Sequence, residues 1–171
     1  MPDTQSTDGL LRILRTHLLG FVPSGEDDRT LLERLGTYTA GGVEVPRFWF
    51  EAAPDDVSES DDGVNLWALM QIIPAKASGD DGGYMRRGDL EVQLFGRPRR
   101  SAADLSQMAD IVEQALFRFI NHTTEGGYIK PLQGLTRSKI EYESPADREL
   151  YQINLRVRIS YIPEFLSQYS T

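Results

Sequence analysis

The stretch "YQINLRVRISYI", residues 151–162, restricts the fold more than any other part of the chain. Tyr151, Ile153, Leu155, Val157, Ile159 and Tyr161 alternate with Gln152, Asn154, Arg156, Arg158 and Ser160. A period of two puts the apolar row on one side of a β-strand and the polar row on the other. The run exceeds the usual strand length of about five or six residues. Such a strand needs helices or a second sheet to bury its dry row, and it leaves a wet row that requires its own explanation. That row is either a solvated surface or one wall of an assembly.

The remaining patterns supply what covers the dry side. Leu10, Leu11, Ile13, Leu14, His17, Leu18 and Phe21 recur at helical spacing and predict a helix from about Asp8, stopped by Gly20 and Pro23. A short second helix is expected in "GEDDRTLLERLG", capped by Ser24 or Asp27, with Leu31, Leu32 and Leu35 on its apolar side. In "SAADLSQMADIVEQALFRFI", Leu105, Met108, Val112, Leu116, Phe119 and Ile120 form a second long stripe. Ser101 stands at its start, and Asp104 sits in the first turn, where the helix dipole favours a carboxylate.

Strands are expected at 43–54, with Pro46 near the start marking an edge position. Two more are expected at 63–74, ended by Pro74, and at 89–96, where Leu90, Val92 and Leu94 share a face. Short extended pieces follow in "YIKPLQGL" and "SKIEYES". Strands thus come in runs rather than alternating with helices. The expected fold is α+β: a mostly antiparallel sheet with an N-terminal helix and a central helix packed on one face. Residues 1–7 read as a polar tail, 8–162 as a single domain and 163–171 as a C-terminal tail.

Composition narrows function. A chain of 171 residues can bury a substantial core. Its net charge of -8 argues against nonspecific nucleic-acid binding, which needs a basic footprint, while letting DNA pass nearby without sticking. The absence of cysteine removes disulfides, thiolate nucleophiles and cysteine zinc sites, and fits synthesis in a reducing cytosol. No apolar run approaches a membrane span, and the polar, acidic "MPDTQSTDG" does not read as a signal peptide.

Chemistry-bearing residues are scattered. His17 and His122 stand alone in sequence, without metal-ligand spacing, and His17 reads as a boundary histidine of the first helix. The pairs Asp27–Asp28, Asp55–Asp56, Asp61–Asp62 and Asp80–Asp81 fall in expected loops and lack the pattern of a calcium loop. "GDDGG" lacks the Lys-Ser/Thr of a phosphate cradle, and the tripeptide Arg87-Gly88-Asp89 stands where a loop is expected to enter a strand. No catalytic, cofactor or metal residue is nominated. Basic residues gather in two places: Arg86, Arg87, Arg97, Arg99 and Arg100, and then Arg156 and Arg158 on the long strand. Each group is a solvated face or one half of a complementary contact between subunits.

Four features together resemble the tail terminator proteins of long-tailed bacteriophages and related phage-like particles. They are the helix "DGLLRILRTHLLGFV", the strand "VPRFWFEAAP", the unit "RGDLEVQLFGRPRRSAADLSQMADIVEQALF" and the terminal strand "YQINLRVRISYI". The resemblance spans residues 8 to 162 and is one of architecture. It implies a non-enzymatic virion protein without cofactor, assembled in the host cytoplasm. Its members form a homo-oligomeric ring, a hexamer, that caps the head-proximal end of the tail tube and ends polymerisation. The ring would contact the tube protein on one side and a neck, connector or head-completion protein on the other, with DNA passing through the lumen and no membrane involved. On that reading Arg86, Arg87, Arg97, Arg99, Arg100, Arg156 and Arg158 are candidates for subunit or partner contacts, and Tyr84 and Met85 for a loop that orders on assembly. A connector or tail tube protein is the alternative within the same class. A small hydrolase or ligand-binding domain is the alternative outside it, and would need a pocket of convergent polar groups.

Overall fold

The computed structural model describes residues 2–58, 65–74, 86–97, 101–123, 129–143 and 150–161. The protein is α+β, with a mostly antiparallel sheet, an N-terminal helix and a central helix. Helix α1 (Pro2–Gly20) and helix α2 (Leu31–Leu35) lead into a hairpin of β1 (Thr37–Ala40) and β2 (Val43–Pro46). Strand β3 (Phe48–Phe50), the one-turn helix α3 (Asp55–Ser58), β4 (Asn65–Pro74), β5 (Arg86–Arg97) and helix α4 (Ser101–His122) follow. The chain then runs through β6 (Ile129–Pro131), β7 (Thr136–Arg137), β8 (Glu141–Glu143) and β9 (Leu150–Tyr161).

Among the described residues the main sheet has seven strands in the order β3-β4-β5-β9-β6, with β7 and β8 also on β9. The β3–β4 pair is parallel and the others are antiparallel. Strand β9 lies beside β5 over the full register from Arg86↔Tyr161 to Gly96↔Tyr151. Its other edge is covered in succession by β6, β7 and β8. The edge of β4 is paired with β3 only from Ala68 to Met70. Pro74 lacks an N–H and ends that edge.

The period-two pattern now has its cause. Ile153, Leu155, Val157 and Ile159 are buried, as are Leu90, Val92 and Leu94 beside them and Ala68 and Met70 on β4. Helices α1, α2 and α4 pack against this side of the sheet through Leu10, Leu14, Leu31, Leu105, Met108 and Phe119. Full burial of one such Leu contributes about 1.5–3 kcal/mol, so this single face holds most of the fold's stabilisation.

Several local expectations need correction. Helix α1 starts at Pro2 rather than near Asp8, so residues 2–7 continue the helix. Proline suits a first helical turn, where its missing N–H would have no partner anyway. Helix α2 is capped by Thr30, not by Ser24 or Asp27. Thr30 Oγ1 accepts from Glu33 N and Glu33 Oε2 accepts from Thr30 N, a reciprocal capping box. Leu31 and Leu35 face the core, but Leu32 is exposed.

The expected strand over 43–54 is two strands. Gly41 and Gly42, at φ 57° and 81°, make a two-residue turn that folds Val43–Pro46 back onto Thr37–Ala40. Only after Arg47 does the chain enter the main sheet. Asp55 and Asp56 lie in α3 rather than in a loop. Strand β5 is longer than expected at both ends, so Arg86, Arg87 and Arg97 are strand residues. The Arg87-Gly88-Asp89 tripeptide is therefore inside β5, paired throughout with β9 and, from Gly88 on, with β4 as well. The pairs Asp61–Asp62 and Asp80–Asp81 lie outside the described residues, as do the 75–85 connection and the 162–171 end.

Candidate functional site

The face of the sheet opposite the helices is ordered by polar contacts. Its rows come from the alternate residues of β4, β5 and β9, so the register decides which side chains meet. Gln71, Glu91 and Arg156 stand abreast on three neighbouring strands. Gln71 Nε2 donates to Glu91 Oε1 at 3.1 Å, and Arg156 Nε donates to Glu91 Oε2 at 3.0 Å. A second Arg156 nitrogen, Nη2, reaches the same carboxylate oxygen. These hydrogen bonds and the Glu91 charge raise the Arg156 pKa.

One step along the strands, Arg158 Nε donates to Asp89 Oδ1 at 3.1 Å. Arg156 Nη1 stands 3.9 Å from the other Asp89 oxygen. Arg156 and Arg158 are thus each about half exposed and tied to an acid of the neighbouring strand. Glu91 is 4% exposed, although it lies on the side away from the helices.

The basic group that looks continuous in sequence is divided by the fold. Arg86 and Arg87 begin β5 and Arg97 ends it. At about 3.3 Å per residue, the two ends lie about 35 Å apart. Arg87 is exposed and Arg86 is partly buried. Arg97 is buried, its guanidinium carbon 5.6 Å from the centre of the Trp67 ring, which itself stacks on Phe95 at 5.2 Å. Arg99, Arg100, Tyr84 and Met85 lie outside the described residues.

The fold also brings together residues that the sequence leaves separate. Glu91 and Asp89 form an acid-x-acid pair set against the Arg-x-Arg of β9, a complementarity visible once the two alternating segments are laid antiparallel. The β1–β2 hairpin is a second feature. Residues Thr39 to Glu44 are all exposed, and Val43 reaches 63%. Its root is held by Arg47, whose Nε donates to Thr37 O at 3.1 Å, and by the edge contact of Tyr38 with Trp49. The third is a cleft between α1 and α4 that brings both histidines to one place. His17 Nε2 lies 2.9 Å from Ala115 O; a carbonyl only accepts, so Nε2 carries the hydrogen. The His17 ring packs against Phe21 and edge-on against Phe119.

Among the described residues, no three His, Asp or Glu side chains converge to hold a cation. No described helix is long and apolar enough to cross a membrane. The described surfaces offer patterned charge, an arm and a cleft. No family model matches the chain, and no curated protein matches its sequence.

Proposed function

We propose that this protein is a structural subunit of a phage-like tail, forming a ring that caps the head-proximal end of the tail tube and stops its growth. The observation that carries this reading is the β1–β2 hairpin. A two-stranded ribbon is marginal in water by itself. This one packs on the main sheet at its root, through Tyr38 against Trp49, and leaves its tip exposed, with Val43 at 63%. Such an arm is best explained by a neighbour that receives it. The two edges of the main sheet are also unlike, one covered by β6, β7 and β8 and the other paired with β3 over a short span. A head-to-tail ring needs unlike surfaces on a single subunit, because each contact joins two different patches.

On this reading the protein performs no catalytic step. It matches the end of the tube on one side and offers the neck or connector protein a different surface on the other. The acidic chain lets DNA cross the lumen without adhering. The test is native mass measurement of the purified protein alone and with tube subunits. A single closed ring that blocks tube elongation is expected. Long tubes built from this chain alone would show it to be the tube protein instead.

A further inference from the structure

The three most exposed large apolar side chains among the described residues are Val43 at 63%, Phe117 at 63% and Val22 at 61%. Val43 stands at the hairpin tip beside the exposed Glu44. Val22 lines the α1–α4 cleft, a cavity of about 800 Å³, and the Phe117 ring lies 6.0 Å from that of His122, another lining residue. Arg118 also lines the cleft, and no Asp or Glu is among its described lining residues. Arg118 and Glu44 make no hydrogen bond or ion pair among the described residues. The hairpin thus presents an apolar side chain and a carboxylate on its two faces, and the cleft presents Val22 and Phe21 among polar groups beside a guanidinium.

We infer that the hairpin tip of one copy docks in the α1–α4 cleft of the next, with Glu44 on Arg118 and Val43 against Val22 and Phe117. The two surfaces do not meet within one chain. The hairpin springs from α2, whose Arg34 Nη1 donates to Gln107 Oε1 in the first part of α4 at 2.7 Å. The cleft lies at the other end of that helix, at Arg118 and His122. At 1.5 Å per residue Gln107 and Arg118 lie about 17 Å apart along α4, and no described residue of the hairpin lines the cleft, so the contact is between copies and heterologous. A carboxylate suits the cleft better than a more highly charged anion. The carbonyl ends of α1 and α4 carry partial negative charge there, and Arg118 offsets it with a single forked donor. The small hairpin tip, with Gly41 and Gly42 at its turn, can enter a cleft that a broader element could not.

This inference rests on the ring reading for its biological setting and is tested separately from it. The experiment compares full-length wild type, Glu44→Arg, Arg118→Glu and the combined Glu44→Arg/Arg118→Glu protein by light scattering and native mass spectrometry, with circular dichroism as a check on folding. Each single reversal is expected to weaken self-association by about a hundredfold with an unchanged spectrum, and the combined protein to regain it. Equimolar mixing of the two single variants provides a second check, because the hairpin of each is compatible with the cleft of the other and alternating oligomers should form. Oligomers that persist in both single variants would overturn the docking while leaving a ring built on other surfaces. A wild type that stays monomeric with and without tube subunits would overturn both. Tubes of wild-type protein that are lost in the single variants and return in the combined one would support the docking and overturn the capping role.

Discussion

Glu91 illustrates how a residue's role follows from its register. Its carboxylate is buried, and two neighbouring strands supply its donors, Gln71 and Arg156. Removing Arg156 leaves that charge without its cation, which costs more than removing both partners together. Half the Arg156 side chain is exposed, so Arg156→Met should cost only about 1–2 kcal/mol by urea unfolding. The double variant Glu91→Gln/Arg156→Met should recover part of that loss. Asp27 gives a pH-dependent counterpart. The Arg29 side-chain hydrogen bonds, with the Arg34 charge adding to them, hold its carboxyl well below the usual carboxylate range. A depressed folded-state pKa means the contribution is complete above the unfolded value of about 3.9 and is lost as pH falls through the folded value. The unfolding midpoint of wild type should therefore fall more steeply than that of Asp27→Asn as the buffer goes from about pH 5 to about pH 2. The arginines of β9 were visible in the sequence, but their partners were not. Alternation gives the face of a residue and says nothing of which strand lies alongside.

The elements divide by whether their signal is local. Helices α1 and α4 and strand β9 bury long periodic rows, and those rows are legible because each repeats over many residues. The β1–β2 hairpin is not legible from periodicity because Tyr38, Val43 and Val45 are too few to set a period, and Pro46 marks the entry of a single strand as well as the end of a hairpin arm. Its signal was Gly41-Gly42, adjacent glycines that supply the two positive φ values of the turn. Being peripheral, the hairpin should tolerate change: Val43→Ser is expected to alter monomer stability by less than about 0.5 kcal/mol while weakening self-association in light scattering. The β4–β5 pair should not be tolerant. A Cβ at Gly88 would stand 2.8 Å from Ile72 Cγ2 and 2.9 Å from Ile73 O. Gly88→Ala is expected to cost about 1–3 kcal/mol by chemical denaturation, because backbone as well as side chain must move.

At the scale of the whole molecule, the long helices lie on one side of the sheet, and among the described residues the hairpin tip is exposed. If assembly uses the arm and the cleft, stability and association are linked, since only the folded chain can bind a neighbour. The thermal midpoint of wild type should then rise with protein concentration, and scanning calorimetry of Arg118→Glu should show that dependence much reduced. By itself the sequence determined the α+β class, the two long helices, the dry row of β9 and the lack of cysteine chemistry, because each is a property of composition or of one segment's period. Tertiary structure alone decided that Glu91 and Asp89 answer Arg156 and Arg158, and that Arg86 and Arg97 stand far apart. It also decided that two distant histidines share a cleft with Arg118. Such pairings depend on which segments the collapse of the apolar rows brings side by side, and no single segment carries that information.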